Sequence, residues 1–397
     1  MVRSTGTNNG QSLNSRRIFR ELYFASPLTK KELAQRTGLS KPTVSKALSD
    51  LGSGGLVAGK GRKDIPTGRK PIKYGLHGSH IYGIGVDLEI PELNLAAYDL
   101  SRRMVASKGR YLNMDELKND PTGYLARTLE RELIDLANQD ELRGGTILGA
   151  GIASSGVVRG GKFRPFTKLD QSAEIELKEP LEEKLGFPTS FGNDVDFQLV
   201  SELDRLGPIE DANHIAIYFS ARLSGNRRPM VRIGGSFAID GKVGLGTGGG
   251  SGEFGHMSIS TKNLSELPET KCGNETCLES FVNHHLNREA ENNLPSAITE
   301  AIEQSLKDLI FAFGPSLVIV DLEAFPEVSE EIINELARFK KRTKGAIGFG
   351  DINIREPLDK NRSVTRGAAI NHFNKLLLDP DNFSLVMKEG QNGNIRG

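Results

Sequence analysis

The sequence predicts an α/β protein that begins with a small, basic helical domain, and two observations support this prediction. Residues 1–80 contain 15 Lys and Arg but only four Asp and Glu, whereas the remaining residues contain 36 basic and 47 acidic side chains. From residue 81 onward, apolar runs of strand type alternate with apolar runs of helical type. This alternation is typical of an α/β fold with a largely parallel sheet. The basic end favours a polyanionic partner, which the acidic remainder would repel.

Length and composition exclude several classes of protein. The 397 residues suffice for two or three domains. No apolar run is long enough to span a bilayer, and the N-terminus lacks the apolar stretch of a signal peptide. We therefore expect a cytoplasmic protein without a membrane partner. The two cysteines, Cys272 and Cys277, lie five positions apart, which fits a metal site in a reducing compartment better than a disulfide framework.

Three helices are predicted in the basic N-terminal part. Apolar residues share one face of a first helix over about residues 14–23. Thr29 and Glu32 have the spacing of a capping box, so a second helix starts there and ends at Gly38. Ser40 is a good N-cap for a third helix. The apolar positions are Ile18, Phe19, Leu22 and Tyr23 in the first helix and Val44, Ala47, Leu48 and Leu51 in the third.

A helix, a glycine turn and a second helix with a small, polar, basic face predict a helix-turn-helix. A strand at residues 56–58 and a basic loop after it predict a wing that enters a minor groove. Such proteins bind paired half-sites, so we expect a palindromic double-stranded operator and a homodimer or dimer of dimers. A three-helix protein-interaction module with solvated charges is the alternative. The candidate DNA contacts are Ser40, Lys41, Thr43, Ser45, Lys46, Arg62, Arg69 and Lys70.

Five further motifs give the chain a family resemblance. They are GIASSGVV, Asn193-Asp194, SGEFGHMSI, CGNETCLE and Arg366-Gly367-Ala368-Ala369. In this order the sequence resembles the ROK family of repressors, uncharacterised reading frames and sugar kinases, over about residues 13–380. The resemblance implies a winged helix-turn-helix at residues 1–80 and a two-lobed, actin-like or hexokinase-like (ribonuclease H-like) sugar-binding module. Its first lobe covers residues 81–195, completed by a helix at about 364–380, and its second lobe covers residues 196–363.

The resemblance also implies a sugar site. In family members, the hydroxyls of one sugar between the lobes are bound by an Asn-Asp pair, by the Glu and His of a G-E-x-G-H motif and by a later Glu. Carboxylates, amides and imidazoles are suited to this task because they provide the donors and acceptors that hydroxyls require. Histidine at such a position also has a purely structural alternative. The matching residues are Asn193, Asp194, Glu253, His256 and Glu279.

Three departures from the family kinases predict that ATP is not bound. The first phosphate loop, D-x-G-G-T in the kinases, is replaced by residues 87–91, where Glu89 would oppose a phosphate by about 4 kcal/mol. The second loop, G-T-G-x-G-G-G, is replaced by residues 221–230. The third glycine position is replaced by Asp321-Leu322-Glu323. We therefore expect no enzyme activity, with Asp194 kept as a sugar ligand and no catalytic residue.

Zinc binding stays open at this stage. Family members hold zinc with the His of G-E-x-G-H and three cysteines, so one imidazole serves both sugar and metal. His256, Cys272 and Cys277 match, but Thr270 stands where the first cysteine is expected, and threonine is a poor zinc ligand. Glu269, His284 or His285 could replace it, or the zinc could be lost.

The resemblance as a whole implies a transcriptional regulator, expected to repress genes of sugar uptake or catabolism. A monosaccharide, amino sugar or sugar phosphate bound between the lobes would modulate its operator binding. Two alternatives remain: a ROK-type sugar kinase with a DNA-binding arm, and a regulator controlled by a protein partner. The sequence does not name the sugar.

Overall fold

The computed structural model has two compact units. The first comprises Met1–Phe197, Asp204–Pro208 and Arg362–Gly397, and the second comprises Gln198–Leu203 and Ile209–Asn361. The division into three domains at residues 80 and 195 stays a prediction. The structure describes residues 7–60, 71–77, 80–159, 161–164, 174–207, 214–224, 230–244, 249–260, 272–274, 276–288, 296–347, 350–359, 363–379 and 382–383.

Three helices and a small sheet form the N-terminal part of the first unit. They are α1 (Thr7–Ala25), β1 (Leu28–Thr29), α2 (Lys30–Thr37), α3 (Lys41–Ser53), β2 (Val57–Lys60) and β3 (Lys73–Leu76). The strand order is β1-β3-β2, with antiparallel pairs. This arrangement confirms the predicted helix-turn-helix followed by a two-stranded wing base. Helix α1 is longer than predicted, because the TNNGQS segment that extends it lacks the apolar spacing by which the helix was found.

The helix termini follow the sequence signals. Thr29 accepts a hydrogen bond from the Glu32 amide at 3.2 Å, and Glu32 accepts one from the Thr29 amide at 2.7 Å. These two bonds form the predicted capping box, and the bond from the Thr29 amide to the carboxylate is the main cause that lowers the pKa of Glu32. Gly38 ends α2 in the left-handed region, with φ 69°. Ser40 caps α3 by accepting from the Thr43 amide, so both turns of the motif are fixed by local chemistry.

A five-stranded mixed sheet forms the core of the first unit. The strand order is β11-β7-β4-β5-β6, in which β11, β7 and β4 are parallel and β4, β5 and β6 form antiparallel hairpins. A second sheet has the order β10-β9-β8. The elements are β4 (Ile81–Glu89), β5 (Glu92–Asp99), β6 (Met104–Tyr111), α4 (Met114–Asn119), α5 (Pro121–Ala137), β7 (Thr146–Ser154), β8 (Val157–Arg159), β9 (Lys162–Arg164), β10 (Ile175–Glu176), α6 (Lys178–Leu185), β11 (Thr189–Asn193) and α7 (Asp194–Leu206).

A second five-stranded sheet forms the core of the second unit, in the order β14-β13-β12-β15-β16. Strands β12, β15 and β16 are parallel, and β12, β13 and β14 are antiparallel. The elements are β12 (Ile215–Ser224), β13 (Met230–Ile239), β14 (Lys242–Val243), α8 (Leu278–Arg288), α9 (Ser296–Phe313), β15 (Leu317–Asp321), α10 (Pro326–Ile347) and β16 (Asn353–Arg355). The expected α/β class is confirmed. The prediction of a largely parallel sheet was wrong, because short turns fold about half of each sheet into antiparallel hairpins.

Helix α11 (Ser363–Leu377) returns to the first unit and packs on β4 and β7. Glycines make this packing close, since a Cβ at Gly85 would lie 1.7 Å from the Thr365 carbonyl and one at Gly151 would lie 2.0 Å from the Ala368 carbonyl. The helix also contributes to the core of the N-terminal helices: Phe19, Tyr23 and Phe373 belong to one apolar cluster. The N-terminal domain is therefore packed into the first unit rather than tethered to it. No helix in the described part of the chain has the length and apolar character needed to cross a membrane.

Candidate functional site

One face of α3 is buried and the other faces solvent. Its apolar stripe of Val44, Ala47, Leu48 and Leu51 is buried as predicted. Among the candidate DNA contacts, Ser40, Lys41 and Lys46 are exposed, and Thr43 and Ser45 are partly exposed. Ser45 already accepts a hydrogen bond from Lys30 at 3.1 Å, which sequence reasoning missed. Arg62, Arg69 and Lys70 lie outside the described residues.

Asn193 and Asp194 lie where β11 ends and α7 begins. The Asn193 side chain caps α7 by accepting from the Val195 amide at 2.9 Å, and its Nδ2 donates to the Gly156 carbonyl at 2.9 Å. Asp194 accepts from the same Val195 amide at 3.0 Å. Both side chains are partly exposed. They are thus held at the positive end of a helix dipole, where a carboxylate is stabilised.

The SGEFGHM segment forms a single turn of 3-10 helix against β13. Its glycines permit this approach, since a Cβ at Gly252 would lie 2.0 Å from the Gly235 carbonyl and one at Gly255 would lie 2.1 Å from the Ile233 carbonyl. The turn places Glu253 Oε2 3.8 Å from His256 Nε2. Both side chains remain about one third exposed, so they can reach a ligand.

Glu279 lies in the first turn of α8 and is fixed to β13. Its Oε2 accepts a hydrogen bond from the Ile233 amide at 2.8 Å. The SGEFGHM turn packs on the same strand at Ile233. In the second unit the structure therefore gathers Glu253, His256 and Glu279 around β13.

His256 faces a different partner through each ring nitrogen. Its Nδ1 lies 3.3 Å from the Cys277 sulfur, and its Nε2 faces Glu253. The hydrogen bond with Cys277 is the main cause that raises the pKa of His256 to about 9, against the opposing effect of burial. Burial raises the pKa of Cys277, but hydrogen bonds from His256 and Ser280 outweigh burial and lower it to about 7.

The ligand atoms of His256, Cys272 and Cys277 all lie within 4.8 Å of one another. In a tetrahedral zinc site a nitrogen and a sulfur ligand would be about 3.6 Å apart, so these three residues fit the metal. His284 and His285 do not join the group, and no fourth His, Cys, Asp or Glu in the described part of the chain does. Glu269 and Thr270 lie outside the described residues.

Asn274 is a structural residue of this site that sequence reasoning missed. Its Nδ2 donates to the His256 carbonyl at 2.7 Å, and its Oδ1 accepts from the Thr276 amide at 3.1 Å. Asn274 thereby joins the SGEFGHM turn to the segment that contains Cys277. The two segments also pair through a backbone bridge between Ser258 and Cys277. The only available signal was its position inside CGNETC.

Comparisons with known proteins identify the family to which this chain belongs. The sequence profile of the ROK family matches residues 84–305, and that of a Crp-like helix-turn-helix domain matches residues 12–66. The chain belongs to the ROK family. This confirms the resemblance and the order of a helix-turn-helix followed by the ROK fold.

Two curated ROK relatives are named as repressors. The chain is 25% identical over 273 residues to the xylose repressor of Bacillus subtilis strain 168, which covers 68% of this chain and 66% of the relative. It is 23% identical over 277 residues to the N-acetylglucosamine repressor of Escherichia coli O6:H1 strain CFT073, covering 68% of this chain and 62% of the relative. The matched stretch thus spans slightly less than two thirds of either relative.

Solved structures share the ROK fold. A ROK family transcriptional regulator described as a homologue of the E. coli MLC protein superposes with a TM-score of 0.66 at 16% identity, over 96% of this chain and 100% of that one. The ROK hexokinase from Thermus thermophilus superposes with a TM-score of 0.58 at 19% identity, over 74% of this chain and 98% of that one. Regulators and kinases of the family therefore have the same fold, and function must be argued from the sites.

Proposed function

We propose that this ROK protein is a DNA-binding repressor of sugar genes, and that a sugar held by Asn193, Asp194, Glu253, His256 and Glu279 lowers its affinity for DNA. The observation that carries the proposal is a helix-turn-helix with an exposed polar face joined to a ROK module in one chain. The repressor names of two relatives support it.

The surface of α3 is suited to DNA. The helix presents short side chains and the two exposed lysines Lys41 and Lys46 on the side opposite its buried stripe. Short side chains let the backbone approach the base edges, and lysines bind phosphates. A protein-interaction module would not need the excess of 11 positive charges that residues 1–80 carry, so DNA is the partner that the charge favours.

Two of the five proposed sugar ligands are fixed by hydrogen bonds from the backbone. Asn193 and Glu279 each use one side-chain oxygen to accept from a backbone amide. A carboxylate has two oxygens, so Glu279 keeps one for a hydroxyl. Polar groups fixed in this way discriminate well, because a ligand that lacks one hydroxyl leaves one of them unpaired.

Backbone pairing supports the absence of ATP binding. Strand β12 continues through the region of the second phosphate loop, where Ala221 pairs with Ile233 and Ser224 pairs with Met230. The β4-β5 hairpin likewise stays paired to Glu89 and Glu92. Phosphate loops need backbone amides that point at the ligand, but amides in a ladder bond to the neighbouring strand.

Side chains at the end of β15 oppose a nucleotide as well. Asp321 is buried and accepts from the Tyr218 hydroxyl at 2.9 Å and from Arg222 at 3.3 Å. Arg222 Nε also lies 3.3 Å from Glu323 Oε2. Two carboxylates against one guanidinium leave this cluster negative, so it does not attract a polyphosphate.

We further propose that His256, Cys272 and Cys277 hold one zinc, with the fourth ligand supplied by solvent or by a residue outside the described part of the chain. Zinc would fix the tautomer of His256 and hold the SGEFGHM turn against the segment that contains Cys272 and Cys277. The imidazole would then present its other nitrogen on the side of Glu253.

A thermal-shift screen tests the proposed function. The purified protein is heated with monosaccharides, amino sugars, their 6-phosphates and, separately, with ATP and magnesium. A ligand that binds only the folded state raises the melting temperature, so we expect a rise with one class of sugar and no rise with ATP. A rise with ATP would favour the sugar kinase with a DNA-binding arm. No rise with any sugar would favour control by a protein partner.

A further inference from the structure

An arginine with an unusual backbone conformation lies in the turn between β5 and β6. Arg102 has φ 66°, in the left-handed region that favours glycine. A non-glycine residue there costs conformational energy. The side chain is only 15% exposed, so its contacts, rather than solvation, explain why an arginine occupies this position.

Arg102 joins the DNA-binding helices to α7. Its guanidinium donates to the Tyr23 carbonyl at 2.6 Å and lies 4.3 Å from the centroid of the Tyr23 ring. Tyr23 is in the last turn of α1, where carbonyls lack partners within the helix and a positive charge is favourable. The Nε atom of the same arginine lies 2.5 Å from Asp204 Oδ1, in the last turn of α7.

Asp204 is shared with a second arginine. Arg366 of α11 donates to Asp204 Oδ2 at 2.6 Å, and both side chains are 10% exposed. This contact explains the Arg366-Gly367-Ala368-Ala369 motif, which the proposed sugar and DNA sites do not use. The next residue, Gly367, lets α11 approach α7, since a Cβ there would lie 1.7 Å from the Phe197 carbonyl.

Helix α7 also carries proposed sugar ligands at its other end. Asn193 caps the helix and Asp194 begins it, about 15 Å along the axis from Asp204. In the second unit, the buried Glu202 of the same helix accepts from Arg355 at 2.7 Å and from the Leu358 amide at 2.9 Å. The helix is therefore fixed by two carboxylates, Glu202 and Asp204, near its C-terminal end, and it contributes residues to both units.

We propose that Arg102, Asp204 and Arg366 are positioning residues that transmit the state of α7 to the DNA-binding domain. This inference rests on the proposed function. The network joins α1, which packs against α3, to the helix that begins with the proposed sugar ligand Asp194. Because it fixes the helix on which α3 rests, the network stabilises the DNA-binding state, and sugar binding at the start of α7 acts against it.

The proposal makes opposite predictions for the two ligands. Breaking the network removes an advantage of the DNA-binding state, so affinity for DNA falls while affinity for sugar rises. A residue that only supports the fold of the N-terminal domain would lower affinity for DNA and leave affinity for sugar unchanged. The rise in sugar affinity is thus the result that separates transmission from local support.

The experiment compares wild type with Asp204→Asn and Arg102→Gly, since glycine tolerates the left-handed backbone. Asp135→Asn is the matched control, because its carboxylate also pairs with a basic side chain, Lys108, but is 54% exposed on α5. Anisotropy measures affinity for a duplex that the wild-type chain selects from a random library. Calorimetry with D-xylose and with N-acetylglucosamine, the sugars in the names of the relatives, measures sugar affinity without DNA. Circular dichroism verifies folding.

We expect both network variants to lose at least about tenfold in DNA affinity and to gain severalfold in sugar affinity, within the range of ordinary allosteric coupling. Folded variants that bind DNA as wild type does, or that lose DNA affinity without a gain in sugar affinity, would overturn the proposal. If the wild type binds neither sugar, the proposed effector has failed instead. In that case unchanged DNA binding by the variants still overturns the network.

Discussion

The Nδ1 atom of His256 lies 3.3 Å from the Sγ atom of Cys277, although 21 positions separate the two residues in the sequence. Cys272 completes the group. A thiol and an imidazole at this distance can bind one metal ion, and the lowered pKa of Cys277 favours the thiolate that a metal ligand requires.

This relationship predicts about one zinc per chain. Cys277→Ser keeps a donor for the Gly255 carbonyl, which accepts from the thiol at 3.3 Å, but removes the soft ligand. We expect this variant to lose its zinc and to bind sugar more weakly, because the orientation of His256 is no longer fixed. Elemental analysis and calorimetry measure the two effects. His285→Gln is the control, and equal zinc in Cys277→Ser and wild type would refute the site.

Carboxylate substitutions test the sugar ligands. Each charged hydrogen bond to a hydroxyl contributes about 1.5–3 kcal/mol, so Glu253→Gln or Asp194→Asn should weaken sugar binding by about 10- to 100-fold. DNA affinity without sugar should stay as in wild type. Glu183→Gln makes the same chemical change at an exposed position of α6 and serves as the control. Sugar-induced stabilisation that survives both substitutions would place the effector elsewhere.

Lysine substitution tests the DNA-binding surface of α3. Lys46→Ala removes one predicted phosphate contact, so the slope of log affinity against log salt should fall by about 1. The exposed Lys242 of β14 provides the control substitution. Anisotropy titrations with the selected duplex at several salt concentrations give the slopes. Identical slopes for Lys46→Ala and wild type would favour the protein-interaction module.

Gly367 should tolerate no side chain. A Cβ there would meet the Phe197 carbonyl at 1.7 Å, whereas a Cβ at Gly250 would meet nothing within 4 Å. We expect Gly367→Ala to lower the free energy of unfolding by about 3 kcal/mol or more, because the backbone of α7 or α11 must move to make room for the methyl group. Gly250→Ala should change it by less than about 0.5 kcal/mol. Urea unfolding measures both, and equal stabilities would contradict the close packing of α11 on α7.

Buried His372 predicts a loss of stability in acid. Burial lowers its pKa from 6.5 to about 4. Between these values the unfolded chain binds more protons than the folded one, so the free energy of unfolding falls as pH drops, by about 3 kcal/mol in total. His372→Asn retains a partner for Ser190, which lies 3.0 Å from Nδ1, and should flatten this dependence. The matched substitution His80→Asn, at an exposed position, should leave it in place.

Local signals allowed much of the fold to be predicted from the sequence. The capping box at Thr29 and the N-cap at Ser40 were both found correctly, because caps act within one or two turns. The mixed sheets were missed because the alternation of strands and helices does not show which strands are joined by hairpins.

Long-range charge contacts could not be predicted in the same way. Arg102 and Asp204 lie far apart in the chain, and each is an ordinary charged residue in a polar stretch. The fold brings the two together by placing the end of α7 beside the turn between β5 and β6. Arg366 of α11 reaches the same carboxylate. Asn274 is similar, since its role depends on the turn at His256 that it contacts. Motifs located the proposed sugar ligands, but the residues that hold them required the structure.

The most direct test of the account measures sugar-dependent DNA binding. A duplex selected by the wild-type chain is labelled, and its anisotropy is followed with D-xylose, N-acetylglucosamine, their relatives and phosphates, or ATP. We predict that one class of sugar lowers the affinity for DNA at least about tenfold, a typical allosteric coupling, and that ATP has no effect. An affinity that no sugar changes, or a sugar-dependent consumption of ATP that Asp194→Asn abolishes, would contradict the account.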